Sequence, residues 1–174
     1  MGTVSKRESL GGQQLEDLVA LALEEAQRLG VDQAEAAASD DTGLSATARL
    51  GEVESLEYTN DRGIGITVYK DSRKGNASTS DLSPTAIRET VAKAVSFASF
   101  TAEDKYSGLA DADLMCRDIR DLDLDHPWAL DADTAIAMAI ESEAAGLGCD
   151  DRISNSEGAT VCLLYTSDAA DELR

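Results

Sequence analysis

The residue types that could perform acid–base or metal chemistry are few in this sequence. The chain of 174 residues contains a single histidine, His126, which is followed by Pro127 and Trp128. A zinc site or a general-base arrangement would call for further ligands or partners close by. A lone histidine before proline is more typical of a turn, and Trp128 is predicted to pack this segment against the core.

Aspartates at alternate positions suggest a cation-binding loop. The run DLDLD at residues 121–125 resembles the start of a calcium loop. However, His126 stands where such a loop needs glycine, and Ala132 stands where it needs a bidentate glutamate. We therefore reject calcium binding and interpret the run as an extended segment with its leucines facing inward.

Three glutamates lie close together at Glu52, Glu54 and Glu57. Paired carboxylates can transfer protons only at a defined separation inside a cleft, which a sequence does not specify. A solvated strand face is the commoner explanation. The serines fall in no nucleophile-elbow pattern, and one histidine leaves little for a catalytic triad.

The segment with the most unusual composition follows the charged turn at residues 70–74. The run GNASTS at residues 75–80 is predicted to be a strand with little core-filling volume. Such a strand lies at a sheet edge or lets another chain approach its backbone. A weakly packed edge strand is the commoner case. The alternative is a strand that faces a peptide or a partner through Gly75, Asn76, Ser78 and Ser80.

Three amphipathic helices are predicted to support these residues. The first spans residues 14–29, the second begins with Ser83 as N-cap and Pro84 at its first position, and the third spans residues 133–147. Their apolar stripes comprise Leu15, Leu18, Val19, Ala22, Ala26 and Leu29 in the first, Ile87, Val91, Ala94, Val95 and Ala98 in the second, and Ile136, Ala139, Ile140, Ala144 and Leu147 in the third.

Alternating apolar residues predict strands at residues 31–39, 44–50, 53–59, 63–69 and 74–80, although the first is rich enough in alanine to be helical. Turns are expected at residues 51–52 and 60–63. A connection at residues 101–130 precedes the third helix, and residues 152–161 are predicted to return as a strand. The predicted fold is α+β, an antiparallel meander of four to five strands with three amphipathic helices packed mainly on one face.

The charge of the chain excludes some classes of partner. The formal net charge is −19 and aromatic residues make up 4% of the sequence. Nucleic-acid phosphates and anionic membranes attract clustered lysine and arginine, so we expect neither partner. No apolar segment suits a membrane span or a secretory signal, which predicts a cytoplasmic protein. Cys116, Cys149 and Cys162 are too scattered for a disulfide framework or a zinc site.

Five segments in the same order resemble a known family. They are RLGEVESLEY at 49–58, DRGIGITVY at 61–69, RKGNASTSDLSP at 73–84, DLDLDHPW at 121–128 and RISNSEGA at 152–159. Together they resemble the N-terminal part of the TldD/PmbA metallopeptidase family, and they are more similar to the PmbA (TldE) branch. The resemblance extends from about Leu15 to Val161.

The resemblance implies a cytoplasmic metallopeptidase of two related subunits that enclose a chamber where unfolded or extended peptides are cut. It places zinc in the C-terminal half of the TldD-type subunit, so the expected partners are that subunit and a peptide substrate. This sequence contains no HExxxH motif. No catalytic, metal or cofactor-binding residue is therefore carried over, and no cofactor is expected in this chain. The matching segments imply fold-defining and chamber-lining roles.

The resemblance also suggests a division of the chain. Residues 1–13 are predicted to be a flexible N-terminus, and residues 14–161 a PmbA/TldD-like N-terminal domain truncated at its C-terminal end. Residues 162–174 are predicted to be a non-native tail, because Cys162 to Glu172 resembles a translated sequencing-library adapter; the alternative is a divergent natural terminus. A different function also stays open, that of a stand-alone acidic peptide-binding or scaffold domain without enzymatic activity.

Overall fold

The computed structural model describes residues 9–115, 122–124 and 126–173. Three helices and four strands lie in these ranges. In chain order they are α1 (Gly12–Arg28), β1 (Gln33–Arg49), β2 (Glu52–Lys70), β3 (Arg73–Thr79), α2 (Pro84–Ala98), α3 (Ala132–Leu147) and β4 (Ala159–Leu173).

The four strands form one antiparallel sheet in the spatial order β3–β2–β1–β4. The first three strands follow one another through tight turns. The last strand, β4, returns to lie beside β1 after two helices, so the strand order is that of a Greek key. The predicted α+β class, with an antiparallel sheet and three helices, is confirmed.

The strands are longer than the sequence predicts. Strand β1 unites the two predicted strands at 31–39 and 44–50, and β2 unites those at 53–59 and 63–69. The turn predicted at residues 60–63 is wrong, because this segment stays within β2. The carbonyl oxygen of Thr79 lies 3.3 Å from where a Cβ on Gly63 would stand. Gly63 therefore permits a close approach between strands rather than a reversal of the chain.

Two tight turns connect the first three strands. Leu50 and Gly51 join β1 to β2 with φ angles of 52° and 79°, and Asp71 and Ser72 join β2 to β3 with φ angles of 51° and 58°. Positive φ at both central residues defines the type I′ turn, whose twist matches that of a hairpin. Leucine adopts this region at a cost, since its Cβ approaches the backbone closely.

The chain divides into two compact units. Unit 1 combines residues within 1–40, 61–118 and 166–174, and its core lies between α1, α2 and the strands. The predicted helix stripes are confirmed here, with Leu18, Leu29 and Val95 partly buried at their margins. The core consists mainly of Leu15, Val19, Ala22, Leu23 and Ala26 of α1, Ala34, Ala36 and Ala38 of β1, Ile64, Ile66 and Val68 of β2, and Ile87, Val91, Ala94 and Ala98 of α2.

A buried carboxylate fixes the start of α1 within unit 1. Asp40 is 1% exposed and its Oδ2 accepts a hydrogen bond from the backbone N–H of Leu10 at 2.7 Å. A carboxylate near the first turn of a helix also interacts favourably with the N–H groups that lack helical partners there. The helix begins at Gly12, two residues before the predicted start.

Unit 2 combines residues within 41–60 and 119–165 and has a smaller core. Leu44, Ala46 and Ala135 are buried there, with Leu130, Ile136 and Val161 packed around them. The buried positions of α3 are Ala135, Ala139 and Glu143, whereas Ala144 is exposed, so the predicted inward position of Ala144 is wrong. The stripe is rotated because Glu143 turns inward to bind backbone N–H groups of the β1–β2 turn.

Candidate functional site

The outer edge of β3 is open in the part of the chain that the structure describes. β3 pairs with β2 on one side and ends the strand order on the other. Its register with β2 runs from Lys70 opposite Arg73 to Ile64 opposite Thr79. An edge strand of this kind presents N–H and C=O groups that another extended chain can bind. The prediction that residues 75–80 form an edge strand is therefore confirmed, with the strand ending at Thr79.

The tight turn determines which backbone groups face outward. In a hairpin with a two-residue loop, the flanking pair is hydrogen-bonded, and bonded and non-bonded pairs alternate from there. Lys70 and Arg73 flank the loop, so the pair of Val68 with Gly75 and the pair of Ile66 with Ala77 are also bonded. The backbone groups of the intervening residues, including Asn76 and Ser78, therefore point away from β2.

One outward group close to the turn already has a partner. Thr101 follows α2, and its hydroxyl donates to the carbonyl oxygens of Lys74 and Ala98, each at 3.0 Å. The Arg73 guanidinium donates to the Thr101 carbonyl and to Glu103, 3.0 Å away. These contacts hold the start of β3 against the end of α2, so the open part of the edge begins at Asn76.

The packing of β3 on α2 explains why residue 75, one of the four candidate residues, is a glycine. Gly75 is buried, and a Cβ at this position would overlap the carbonyl oxygen of Ala94 and the backbone of Ala98. Only glycine fits between strand and helix. The small size of Gly75 therefore allows β3 to pack on α2. Gly75 lies on the helix-facing side of the strand, opposite to the other candidate residues.

The opposite face of β3 carries Asn76 and Ser78, and Ser80 directly follows the strand; all three are exposed. Gly65 lies directly opposite Ser78 in the register, so no large side chain covers the backbone at this point. An open groove of about 610 Å³ lies here. Its lining residues are Arg62, Gly63, Ile64, Gly65, Ser78, Thr79 and Ser80.

Tyr69 is the large buried side chain near the turn end of β3. It is 7% exposed, its hydroxyl donates to Glu35 Oε1 at 3.0 Å, and Lys74 Nζ lies 5.7 Å from the ring centroid. Burial, followed by the hydrogen bond to Glu35 and the charge of that carboxylate, raises the pKa of Tyr69 to about 12. The phenol therefore stays neutral at ordinary pH and anchors β1 to β2.

A residue that the sequence did not single out organises the β1–β2 turn. Glu143 is 4% exposed, and its two carboxylate oxygens accept the backbone N–H groups of Leu50 at 2.8 Å and Gly51 at 2.9 Å. These bonds lower the pKa of Glu143 more than burial raises it. No local signal marks this position, because the apolar pattern of α3 favours Ala144 as the inward residue.

The donor groups of the described residues do not fit a metal site. No group of three or more histidine, cysteine or acidic side chains in the described ranges could hold a metal ion. His126, Cys149 and Cys162 are exposed, and Trp128, predicted to pack against the core, is 51% exposed. Cys116, Asp121 and Asp125 lie outside the described residues. Nor is any described helix long and apolar enough to cross a membrane.

The sequence of the chain is similar to those of bacterial PmbA proteins. The profile of PmbA/TldA metallopeptidase domain 1 matches residues 34–98. The chain is 47% identical over 148 residues to the metalloprotease PmbA homolog of Haemophilus influenzae, covering 85% of this chain and 33% of that protein. It is also 47% identical over 144 residues to metalloprotease PmbA of Escherichia coli O157:H7, covering 83% of this chain and 32% of that protein.

Solved structures share the fold. A Bacteroides thetaiotaomicron protein, solved as a candidate modulator of DNA gyrase, aligns with a TM-score of 0.65 at 22% identity over 91% of this chain and 36% of that one. TldE of Thermococcus kodakarensis aligns with a TM-score of 0.64 at 14% identity over 93% of this chain and 35% of that one. The chain thus spans about one third of the length of the relatives it matches.

Proposed function

Since the chain belongs to the PmbA/TldD metallopeptidase family, we propose that it is the N-terminal domain of a PmbA-like subunit in a cytoplasmic peptidase complex. The complex pairs this subunit with a TldD-type subunit and cleaves unfolded or extended peptides. The domain forms part of the peptide chamber and assembly surface and is not catalytic by itself. The zinc ion and the residues that bind it belong to the TldD-type subunit.

The open outer edge of β3 carries the proposal. Extended peptides commonly bind by adding a strand to an exposed sheet edge, where main-chain hydrogen bonds supply affinity without regard to sequence. The backbone groups of Asn76 and Ser78 point away from β2, which supports such pairing. A binding mode that uses backbone groups suits a peptidase whose substrates have varied sequences.

The small side chains beside this edge support the same function. Ser78 and Ser80 line the open groove together with Gly63 and Gly65, so a bound strand would meet little steric obstruction. Gly75 contributes indirectly, because its contact with α2 fixes the strand in place. The net charge of −19 supports neither nucleic acid nor an anionic membrane as a partner.

The proposal is tested in the complex of the full-length PmbA-like protein with its TldD-type subunit. Ser78→Trp and Ser80→Trp place bulky side chains in the groove and should reduce cleavage of an unfolded peptide by raising its KM. Glu89→Trp, at an exposed position of α2, is the matched control and should leave KM unchanged. Unchanged KM in both tryptophan variants would refute the peptide-facing role of this edge.

A separate measurement tests the assembly itself. The full-length protein and the TldD-type subunit should elute together at the mass of a heterodimer, and the peptidase activity should require both. If the full-length protein bound peptides but gained no activity from any TldD-type subunit, the chain would act instead as an acidic peptide-binding or scaffold domain.

A further inference from the structure

A second unpaired strand edge lies in unit 2. β2 runs from Glu52 to Lys70, but β3 pairs with it only from Ile64 onward. Over Glu52–Asn60, β2 therefore has β1 on one side and no described strand on the other. Every second residue of this stretch directs its N–H and C=O groups to the open side. We call Glu52–Asn60 the β2 edge.

The β2 edge carries one feature that usually hinders strand pairing, its charged glutamates, and lacks proline and a short length. Native edges are commonly protected by lysine, proline or a short length. The β2 edge is EVESLEYTN, which contains no lysine, proline or glycine. Its apolar side chains are also displayed rather than buried, with Val53 47%, Leu56 40% and Tyr58 54% exposed. Such a combination favours the addition of another strand.

The charges along the β2 edge select the kind of strand that could bind. Glu52, Glu54 and Glu57 are exposed carboxylates. One of them, Glu54, lies 3.8 Å from the Arg49 guanidinium, and no described cation lies in ion-pair contact with the other two. Unpaired carboxylates beside displayed apolar groups complement a strand with basic and apolar residues in alternation. A second copy of this chain, at a net charge of −19, would be repelled.

We propose that the β2 edge binds an extended, basic segment of a partner polypeptide as an added antiparallel or parallel strand. Backbone hydrogen bonds fix the segment along β2. Its apolar side chains cover Leu56 and Tyr58 on one face of the strand, and its lysine or arginine side chains approach Glu57 on the other face. The β2 edge and the β3 edge consist of different residues. The two proposals can therefore be tested separately, and failure of one does not imply failure of the other.

The probe is a fluorescent eight-residue peptide of alternating lysine and valine, titrated against the full 174-residue chain. A Lys-Pro peptide of equal charge is a poor strand, because proline lacks an N–H donor and holds φ far from the β value of roughly −140°. A Glu-Val peptide carries the opposite charge. The Lys-Val peptide should bind at least about tenfold more tightly than either control. Amide chemical-shift changes should concentrate at Glu52–Asn60.

Matched protein variants localise the interaction. Glu52→Lys with Glu57→Lys should weaken Lys-Val binding at least about tenfold. Glu141→Lys with Asp151→Lys makes the same change of charge at other exposed positions of unit 2 and should weaken it far less. Ser78→Trp at the β3 edge should leave the chemical-shift changes at Glu52–Asn60 unchanged.

Three results would overturn the proposal. Equal binding of the Lys-Val and Lys-Pro peptides would indicate attraction by net charge alone. An equal loss of Lys-Val affinity in the two double-lysine variants would also indicate attraction by net charge alone. Sedimentation showing that the chain pairs with itself, with shift changes at Glu52–Asn60, would assign the β2 edge to a second copy.

Discussion

The Glu143 carboxylate of α3 accepts the backbone N–H of Leu50 at 2.8 Å, across 93 residues of sequence. Leu50 holds a positive φ of 52° in the turn between β1 and β2. A side chain from the helix thus stabilises a backbone conformation that the leucine itself disfavours. The relationship links the start of β2 to α3 within unit 2.

Glu143→Gln should destabilise the protein, because an amide offers one acceptor oxygen to two N–H donors. The free energy of unfolding should fall at neutral pH, measured by urea denaturation. The folded-state pKa of Glu143 is lowered, so its contribution is present above about pH 4.5 and is lost as pH falls through the lowered pKa. The variant and the wild type should therefore converge in acid. Glu141→Gln, exposed on the same helix, should match the wild type at every pH.

Leu50→Asn should stabilise the protein, because asparagine tolerates positive φ better than leucine does. The expected gain in unfolding free energy is about 1 kcal/mol, since a left-handed conformation costs most residues about 1–2 kcal/mol. Leu50→Ala removes the same apolar group and keeps the unfavourable φ, so it serves as the control. A gain in the alanine variant equal to that in asparagine would contradict the assignment of strain.

Gly75→Ala should destabilise unit 1, because the added methyl group would overlap the backbone of α2 at Ala94 and Ala98. Relief requires the helix to shift, at a cost of about 1–3 kcal/mol by analogy with overpacked cores. Gly65→Ala is the matched control in the neighbouring strand, since nothing lies within 4 Å of its added Cβ. Thermal unfolding should separate the two variants clearly, and equal melting temperatures would refute the close contact.

Tyr69 should titrate at about pH 12, as followed by the ultraviolet absorbance of tyrosinate. Its pKa is raised in the folded state, so the stability it contributes is present below about pH 10 and is lost as pH rises through about 12. Tyr69→Phe should remove this alkaline transition. Glu35→Gln should lower the pKa only in part, because burial is the larger cause of the shift.

Genomic DNA beyond the codon for Val161 tests the predicted division of the chain. A natural reading frame that departs from the present chain after Val161 would support the predicted non-native tail. Strand β4 runs from Ala159 to Leu173 and so crosses this predicted boundary. Genomic sequence identical to the present chain through Glu172 would instead assign β4 to the natural protein.

Local signals in the sequence identified the helices and the edge strand. Ser83 is the N-cap of α2, where its hydroxyl accepts the Ala86 N–H at 3.4 Å, and Pro84 occupies the first helical position as predicted. β3 was recognisable because few of its side chains can fill a core. Each of these predictions depended on residues near one another in the chain.

Features that depend on distant residues could not be predicted in this way. Gly63 has the same local chemistry in a turn and in a strand, and only its proximity to Thr79 distinguishes them. The burial of Gly75 depends on α2, and the inward position of Glu143 depends on a turn formed 92 residues earlier. A pattern of apolar residues alone would place Ala144 inward instead.

The row of β1 side chains that faces the helices in unit 1 consists of Ala34, Ala36 and Ala38, each no more than 3% exposed. These alanine side chains cannot become smaller without loss of the methyl group. A larger side chain in β1 or in the helices packed against it therefore requires a smaller one opposite. Ala37, exposed on the opposite side of the strand, is free of this constraint. Evolution can therefore vary one surface of the sheet residue by residue, while the layer beneath it changes only in concert.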